Sequence, residues 1–290
     1  MFEIRDQRAE VPTLVLADTA AGSVVTVAPE RGGMVTGFAV GGRELLYLDR
    51  ESFEDRGKNV RGGNPVLFPS PGMLTDGRFS RDGQSGLMKQ HGFGRTMAWA
   101  VAARSTEGAA SVTLELVSDA TTLAQFPWEF VARYNYSLRG ARLEILMEVE
   151  NRDGKVLPCG LGFHPYFRVP AADKGAMEIE TGATRAWDNV AKAEVAFSGF
   201  ALGSGEVDLH LQDHGSTVCA MRWPGLGGLV RLEGSAAFTH WVVWTLQGRD
   251  FVCVEPWTCP GDALNTGERL MMVGPGEVAR ASVAFVYEAD

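Results

Sequence analysis

Cysteine is scarce in this chain of 290 residues, which holds four: Cys159, Cys219, Cys253 and Cys259. They form no C-x-x-C pair and no dense spacing, so a disulfide framework is not expected, and they read as reduced thiols in a cytoplasmic protein. Long hydrophobic runs are also missing. Nothing approaches the ~20 apolar residues of a membrane span, and a soluble protein is expected. Arg5 and Arg8 precede an apolar stretch at 11–17, but Glu3, Asp6 and Glu10 spoil the positive region of a secretory signal, and Asp18 closes the run. A first strand fits that stretch better. No block of like charge stands out, and a net charge of -9 with a pI near 5.2 argues against a nucleic-acid or anionic-membrane partner. Helical periodicity is nearly absent: the best candidate, 119–125, is one or two turns long and stops at Phe126-Pro127. Internal repeats, low-complexity tracts and linkers are absent as well, which makes one domain over 1–290 the simplest expectation.

What the chain has in abundance is glycine, 35 residues against a usual share of about 7%, and glycine-rich chains turn often. Between the turns lie short apolar or alternating runs at 13–17, 23–28, 44–48, 111–117, 128–138 and 142–149, and then at 207–211, 217–223, 229–232, 239–246, 251–255 and 278–287. In Ser111-Val112-Thr113-Leu114-Glu115-Leu116 the apolar residues fall on one face and Thr113 and Glu115 on the other. Regular strands without helices between them predict an all-β fold, an antiparallel sandwich or barrel. The irregular stretch 50–90 departs from this spacing, and its structured-looking centre around Arg61-Gly62-Gly63-Asn64-Pro65 reads as part of a site wall.

Three segments could carry chemistry. In Gly160-Leu161-Gly162-Phe163-His164-Pro165-Tyr166-Phe167-Arg168 one histidine stands among aromatic rings, and the following proline keeps it out of a helix. Aromatic faces beside a titratable group suit a pyranose, which stacks its C–H face and hydrogen-bonds its hydroxyls. A core histidine with satisfied nitrogens is the alternative. His91, in Gln90-His91-Gly92-Phe93-Gly94-Arg95, has the same aromatic and glycine company. Glu255 ends the apolar run Phe251-Val252-Cys253-Val254 and precedes Pro256-Trp257, where a lone carboxylate is costly unless paired or reactive. An exposed glutamate at a strand end is the other reading.

In this order, Arg61-Gly62-Gly63-Asn64-Pro65 with Phe68-Pro69, His91-Gly92-Phe93-Gly94-Arg95, Gly162-Phe163-His164-Pro165-Tyr166-Phe167 and Val254-Glu255-Pro256-Trp257 resemble the aldose 1-epimerases, or sugar mutarotases. The resemblance spans nearly the whole chain. It implies a large antiparallel β-sandwich of the galactose mutarotase-like type, with His164 as general acid, Glu255 as general base and His91 binding and polarising the sugar. It also implies that Asp208 hydrogen-bonds sugar hydroxyls. The chemistry asks for the same residue types: to exchange anomers, a base removes the C1 hydroxyl proton while an acid protonates the ring oxygen, with no metal or other cofactor. The branch acting on hexose 6-phosphates is similar too, through Arg61 and Arg95, since arginine is the usual phosphate binder. The expected partner is thus a small sugar, an aldohexose or a hexose phosphate. His210 and His214, with Asp213, imitate a metal cluster, but residues four apart in a strand are ~13 Å apart, and surface or turn positions are expected for them. A glycosidase using Glu255 and Asp208, and a non-catalytic sugar-binding module, are the competing classes.

Overall fold

Short alternating runs broken by glycine can bury one face only against another layer of strands. The computed structural model describes all 290 residues, and in it the chain forms antiparallel sheets with three α-helices of four or five residues each. A five-stranded meander comes first: Phe2–Gln7, Thr13–Asp18, Ser23–Ala28, Met34–Val40 and Arg43–Glu44, each paired with the next. An eight-stranded sheet follows the order Glu178–Ile179, Val218–Arg222, Gly228–Gly234, Val278–Ala289, Arg142–Asn151, Phe130–Arg139, Ala110–Val117, Ala100–Ser105. At its centre Arg139 pairs with Arg142 across a two-residue turn whose first residue, Gly140, has φ +59, the left-handed position that glycine fills without strain. Val112, Leu114 and Leu116 point inward as alternation predicts. Thr113 and Glu115, on the other face, are half-buried beneath Asn135 and Arg133.

The second large sheet runs Ala193–Ala196, Arg185–Asp188, Val207–Leu211, His240–Thr245, Phe251–Trp257, Gly162–Phe163, Val66–Leu67, with Tyr166–Arg168 also paired to Phe251–Trp257. Every residue of Phe251–Trp257 is buried, which accounts for the apolar run from Phe251 to Val254 and leaves Glu255 as its one buried charge-bearing group. A hydrophobic cluster of 59 residues lies between the sheets, joining Leu114, Phe130, Ile145 and Val283 to Leu211, Trp241, Val243 and Val254. Fully burying such a side chain is worth roughly 1.5–3 kcal/mol, and a layer this broad holds two sheets face to face. The molecule is a β-sandwich, as expected.

The expected helix is Ala120–Leu123, capped by Asp119, whose carboxylate accepts from Thr122 N at 2.8 Å. The expected strand at 44–48 is mostly irregular: after Glu44 only Leu46 and Leu48 make single bridges, to Phe167 and Gly62. The stretch 50–90 contains the helix Arg50–Glu54, the strand Val66–Leu67 and the hairpin Arg78–Arg81/Gln84–Leu87. Its first part is clasped by the buried Arg31, whose Nε donates to Phe53 O at 3.0 Å and whose Nη2 lies 3.0, 2.7 and 2.8 Å from the carbonyls of Ser52, Asp55 and Lys58. That clasp sets the path of the chain into Arg61.

Candidate active site

Backbone constraints place each of the three central side chains. His91 has φ +68 and is held on both sides by Gly72: its N–H donates to Gly72 O at 2.7 Å, and its Nδ1 accepts from Gly72 N at 3.0 Å. A ring that accepts at Nδ1 carries its proton on Nε2, so His91 offers the cavity an N–H donor. Gly92 beside it, at φ +71, packs so closely that a Cβ there would sit 2.1 Å from Phe68 O. His164 lies between the strands Gly162–Phe163 and Tyr166–Arg168, with its N–H on Pro65 O at 3.1 Å. Its ring stacks on Tyr166 at 4.8 Å between centroids and meets Trp244 edge-on at 5.6 Å. Glu255 lies inside its strand rather than at the end, 1% exposed.

These residues converge. His164 Nε2 is 3.3 Å from Glu255 Oε1, Trp257 Nε1 donates to Glu255 Oε2 at 3.2 Å, and the His91 and His164 ring centroids are 5.5 Å apart. All three line one cavity of about 960 Å³, together with Arg61, Arg95 and Asp208. Arg61 lies over the Trp244 ring at 6.0 Å, and Arg95 donates from Nη2 to Gln90 O at 2.9 Å. Neither arginine pairs with a carboxylate, and Arg95 Nε is buried without a partner. Asp208 accepts from Asn189 Nδ2 at 2.7 Å and faces His210 Nε2 at 3.5 Å.

Burial governs the charges. Burial, reinforced by Arg95, pushes His164 down to about 3, and burial followed by the neighbouring His164 holds His91 well below the ordinary histidine range. Burial, helped by the charge of Asp208, lifts Glu255 well above the usual carboxylate range against the hydrogen bond from Trp257. For Asp208 burial also acts upward, but His210 and Asn189 outweigh it and the group ends below its ordinary value. Donor atoms of His164, Cys253 and Glu255 lie within 4.8 Å of one another, the spacing of a possible metal set. Burial and Glu255 push the Cys253 thiol well above its ordinary value, and the 3.3 Å contact of His164 Nε2 with Glu255 Oε1 forms a hydrogen-bonded acid/base pair within this set.

The surface or turn placement expected for His210 is corrected, and His214 does lie in the loop after the strand Val207–Leu211 but is buried there. His210 lines the cavity, its Nδ1 2.9 Å from Nε2 of the buried His240, while His214 is buried elsewhere between Thr181 Oγ1 and Val218 O, at 2.8 and 2.9 Å. The signal was available for His210: it stands two residues after Asp208 in a strand and must share its face. His240, stacked on Trp257 at 5.6 Å, carried no comparable signal, since only its strand partner shows where it lies.

The fold is similar to those of known proteins. Superposition on the crystal structure of the Slr1438 protein from Synechocystis sp. PCC 6803 gives a TM-score of 0.93 at 33% identity, covering 100% of both chains. A galactose mutarotase-like protein from Clostridium acetobutylicum matches at TM-score 0.84 and 19% identity over 100% of this chain and 99% of that one. One from Lactobacillus casei ATCC 334 matches at 0.75 and 18% over 99% and 100%. These last two likenesses speak for the fold. Residues 13–286 match the model of the aldose 1-epimerase family, and with nearly the whole sequence covered, the chain belongs to that family.

Proposed function

We propose that the protein is a mutarotase that exchanges the α and β anomers of an aldohexose by opening and reclosing the ring, with Glu255 and His164 as its base and acid. The observation that carries this reading is the 3.3 Å contact between His164 Nε2 and Glu255 Oε1 on the wall of a large polar cavity. Glu255 takes the proton of the C1 hydroxyl as His164 gives one to the ring oxygen, and the C1–O5 bond breaks to leave an aldehyde. After rotation about C1–C2 the freed hydroxyl attacks the other face of the aldehyde. His164 then recovers its proton from that oxygen, and Glu255 returns its own to O1. The His91 Nε2–H hydrogen-bonds a sugar oxygen, and Asp208 accepts from hydroxyls. Burial disfavours a lone charge on either member of the central pair, so the two hold one proton between them and titrate as a unit. The Trp257 N–H steadies the carboxylate form in which Glu255 can act as base.

The test follows the equilibration of freshly dissolved glucose, galactose and glucose 6-phosphate by polarimetry or exchange NMR, with and without protein. No acceleration for any of them would sink the proposal. A second reading, a hexose-6-phosphate 1-epimerase, is favoured by the two cavity arginines that lack carboxylate partners, because a dianion would satisfy both. Under that reading Arg61→Ala or Arg95→Ala raises KM for glucose 6-phosphate and leaves glucose unchanged.

A further inference from the structure

We propose that the cavity continues past the acid/base pair into an outer subsite for the second and third rings of a reducing oligosaccharide, with the Trp187 indole as its stacking platform. This rests on anomer exchange at Glu255 and His164, and it names the class of substrate. The strand registers supply the geometry. Glu194 pairs with Trp187, Trp187 with His210, His210 with Val242, and Val242 with Glu255. Directly paired residues project to the same face of a sheet, and all five line the cavity. The alternating set Ala186, Leu211, Trp241 and Val243 is buried in the core on the other face. The result is a trough running across the strands from Glu255 to Trp187. Three interstrand steps separate these two residues, about 14 Å at ~4.8 Å per step. One pyranose ring with its C1 at Glu255 cannot span that distance, whereas two or three linked rings do. A volume of about 960 Å³ agrees, since it stands at the upper end for sites that enclose ligands larger than a single sugar.

Trp187 has the character of a sugar platform. It is 37% exposed, the only one of the seven tryptophans left in the open, and neither ring face is taken by another aromatic residue. A broad apolar face beside polar neighbours suits the C–H face of a pyranose. The cations around it are already engaged: Arg185 lies 3.1 Å from Glu194 and 3.8 Å from Asp213, and Lys192 Nζ donates to Asn189 Oδ1 at 2.8 Å. With Arg185 paired to Glu194 and Asp213 and Lys192 held by a neutral amide, the Trp187 face rather than a cluster of charge offers the contact at this end of the trough, which suits a neutral polyol.

The experiment compares anomer exchange of glucose with that of maltose, cellobiose and maltotriose in the wild type, Trp187→Ala and Trp187→Phe. Alongside it, calorimetry measures binding of methyl maltoside and methyl glucoside, which have no free anomeric hydroxyl and cannot turn over. At least one oligosaccharide is expected to show a lower KM than glucose. Trp187→Ala should raise that KM about fivefold to tenfold, the scale of one stacking contact, while glucose is unaffected and Trp187→Phe keeps most of the advantage. Equal KM values for glucose and all the oligosaccharides, or an alanine defect that falls equally on glucose, would overturn the subsite. If the wild type exchanges no sugar, the proposed activity fails by itself. Tighter binding of methyl maltoside than of methyl glucoside, lost in Trp187→Ala, would still uphold the subsite, and equal binding would refute it.

Discussion

Glu255 is a carboxyl group with almost no contact with water, and its two oxygens face only Trp257 and His164 among the hydrogen-bonding side chains. Glu255→Gln keeps the shape and the contact with Trp257 but cannot take a proton, so kcat should fall by ~10²–10⁴ with KM nearly unchanged. His164→Asn should behave alike. Near-normal turnover in Glu255→Gln would assign the base elsewhere, and Asp208 would be tested next. The pair also sets a pH profile. It gains a second proton only near the low value of His164, and it loses its one shared proton only well above the usual carboxylate range, as Glu255 ionises. The expected kcat/KM is therefore level through mildly acidic solution and falls only once the pair loses its proton, above the usual carboxylate range, and a fall centred on the ordinary carboxylate pKa would contradict the shared proton. Because the route moves only side-chain protons, dialysis against a strong chelator should leave the rate intact. A loss restored by one metal ion alone would instead give His164, Cys253 and Glu255 a role as ligands.

Among the elements, the loop that Arg31 clasps is the one whose order depends on a single side chain. Arg31→Met removes the guanidinium from the carbonyls of Ser52, Phe53, Asp55 and Lys58, of which Asp55 O keeps the Lys58 N–H, and leaving a buried acceptor such as Phe53 O without a partner costs about 1–3 kcal/mol. Limited proteolysis should then cut within 50–60 faster than elsewhere, and KM should rise more than kcat falls, since Arg61 follows the loop while Glu255 does not. Uniform cleavage across the chain would mean that Arg31 only supports the core. The elements differ in how far they could be read in advance. Ser23–Ala28 and Val207–Leu211 match the expected runs residue for residue, because alternation with one buried face is a local pattern. Arg185–Asp188, whose exposed tryptophan now matters, and the two-residue strand Val66–Leu67 escaped notice, whereas Gly162–Phe163 ends just before His164, where a strand end was expected. The first two owe their strand character to partners far along the chain, and two residues have no period. That His91, His164, Glu255, Arg61 and Arg95 line one cavity follows a signal in the sequence, since such side chains among prolines, glycines and aromatics have few bland explanations, whereas Asp208, between Val207 and Leu209, was reached through the resemblance alone. The register that brings His210 and Trp187 into the same trough is not written near either residue.

For the molecule as a whole, burial of imidazoles ties stability to pH. Between the ordinary carboxylate and histidine ranges the His164–Glu255 pair holds one proton in the folded state and one when unfolded, so it contributes no slope there. His91, His214 and His240, each held below the ordinary histidine value by burial, stay neutral when folded and take up a proton when unfolded. Their contribution is fully present above pH ~6.5 and is lost as the pH falls, by up to about 1.4 kcal/mol per pH unit for each ring. Urea midpoints should therefore drop steadily from pH 7 to pH 5, and a flat response would show that these rings ionise within the fold. The same distribution has a spectroscopic consequence. Of five histidines in a 31.3 kDa chain, four line one cavity and the fifth, His214, is bonded to Thr181 and Val218 away from it. The imidazole C–H signals thus form a nearly pure readout of the cavity with a built-in reference: titrating in a sugar should move the resonances of His91, His164, His210 and His240 while that of His214 stays where it is.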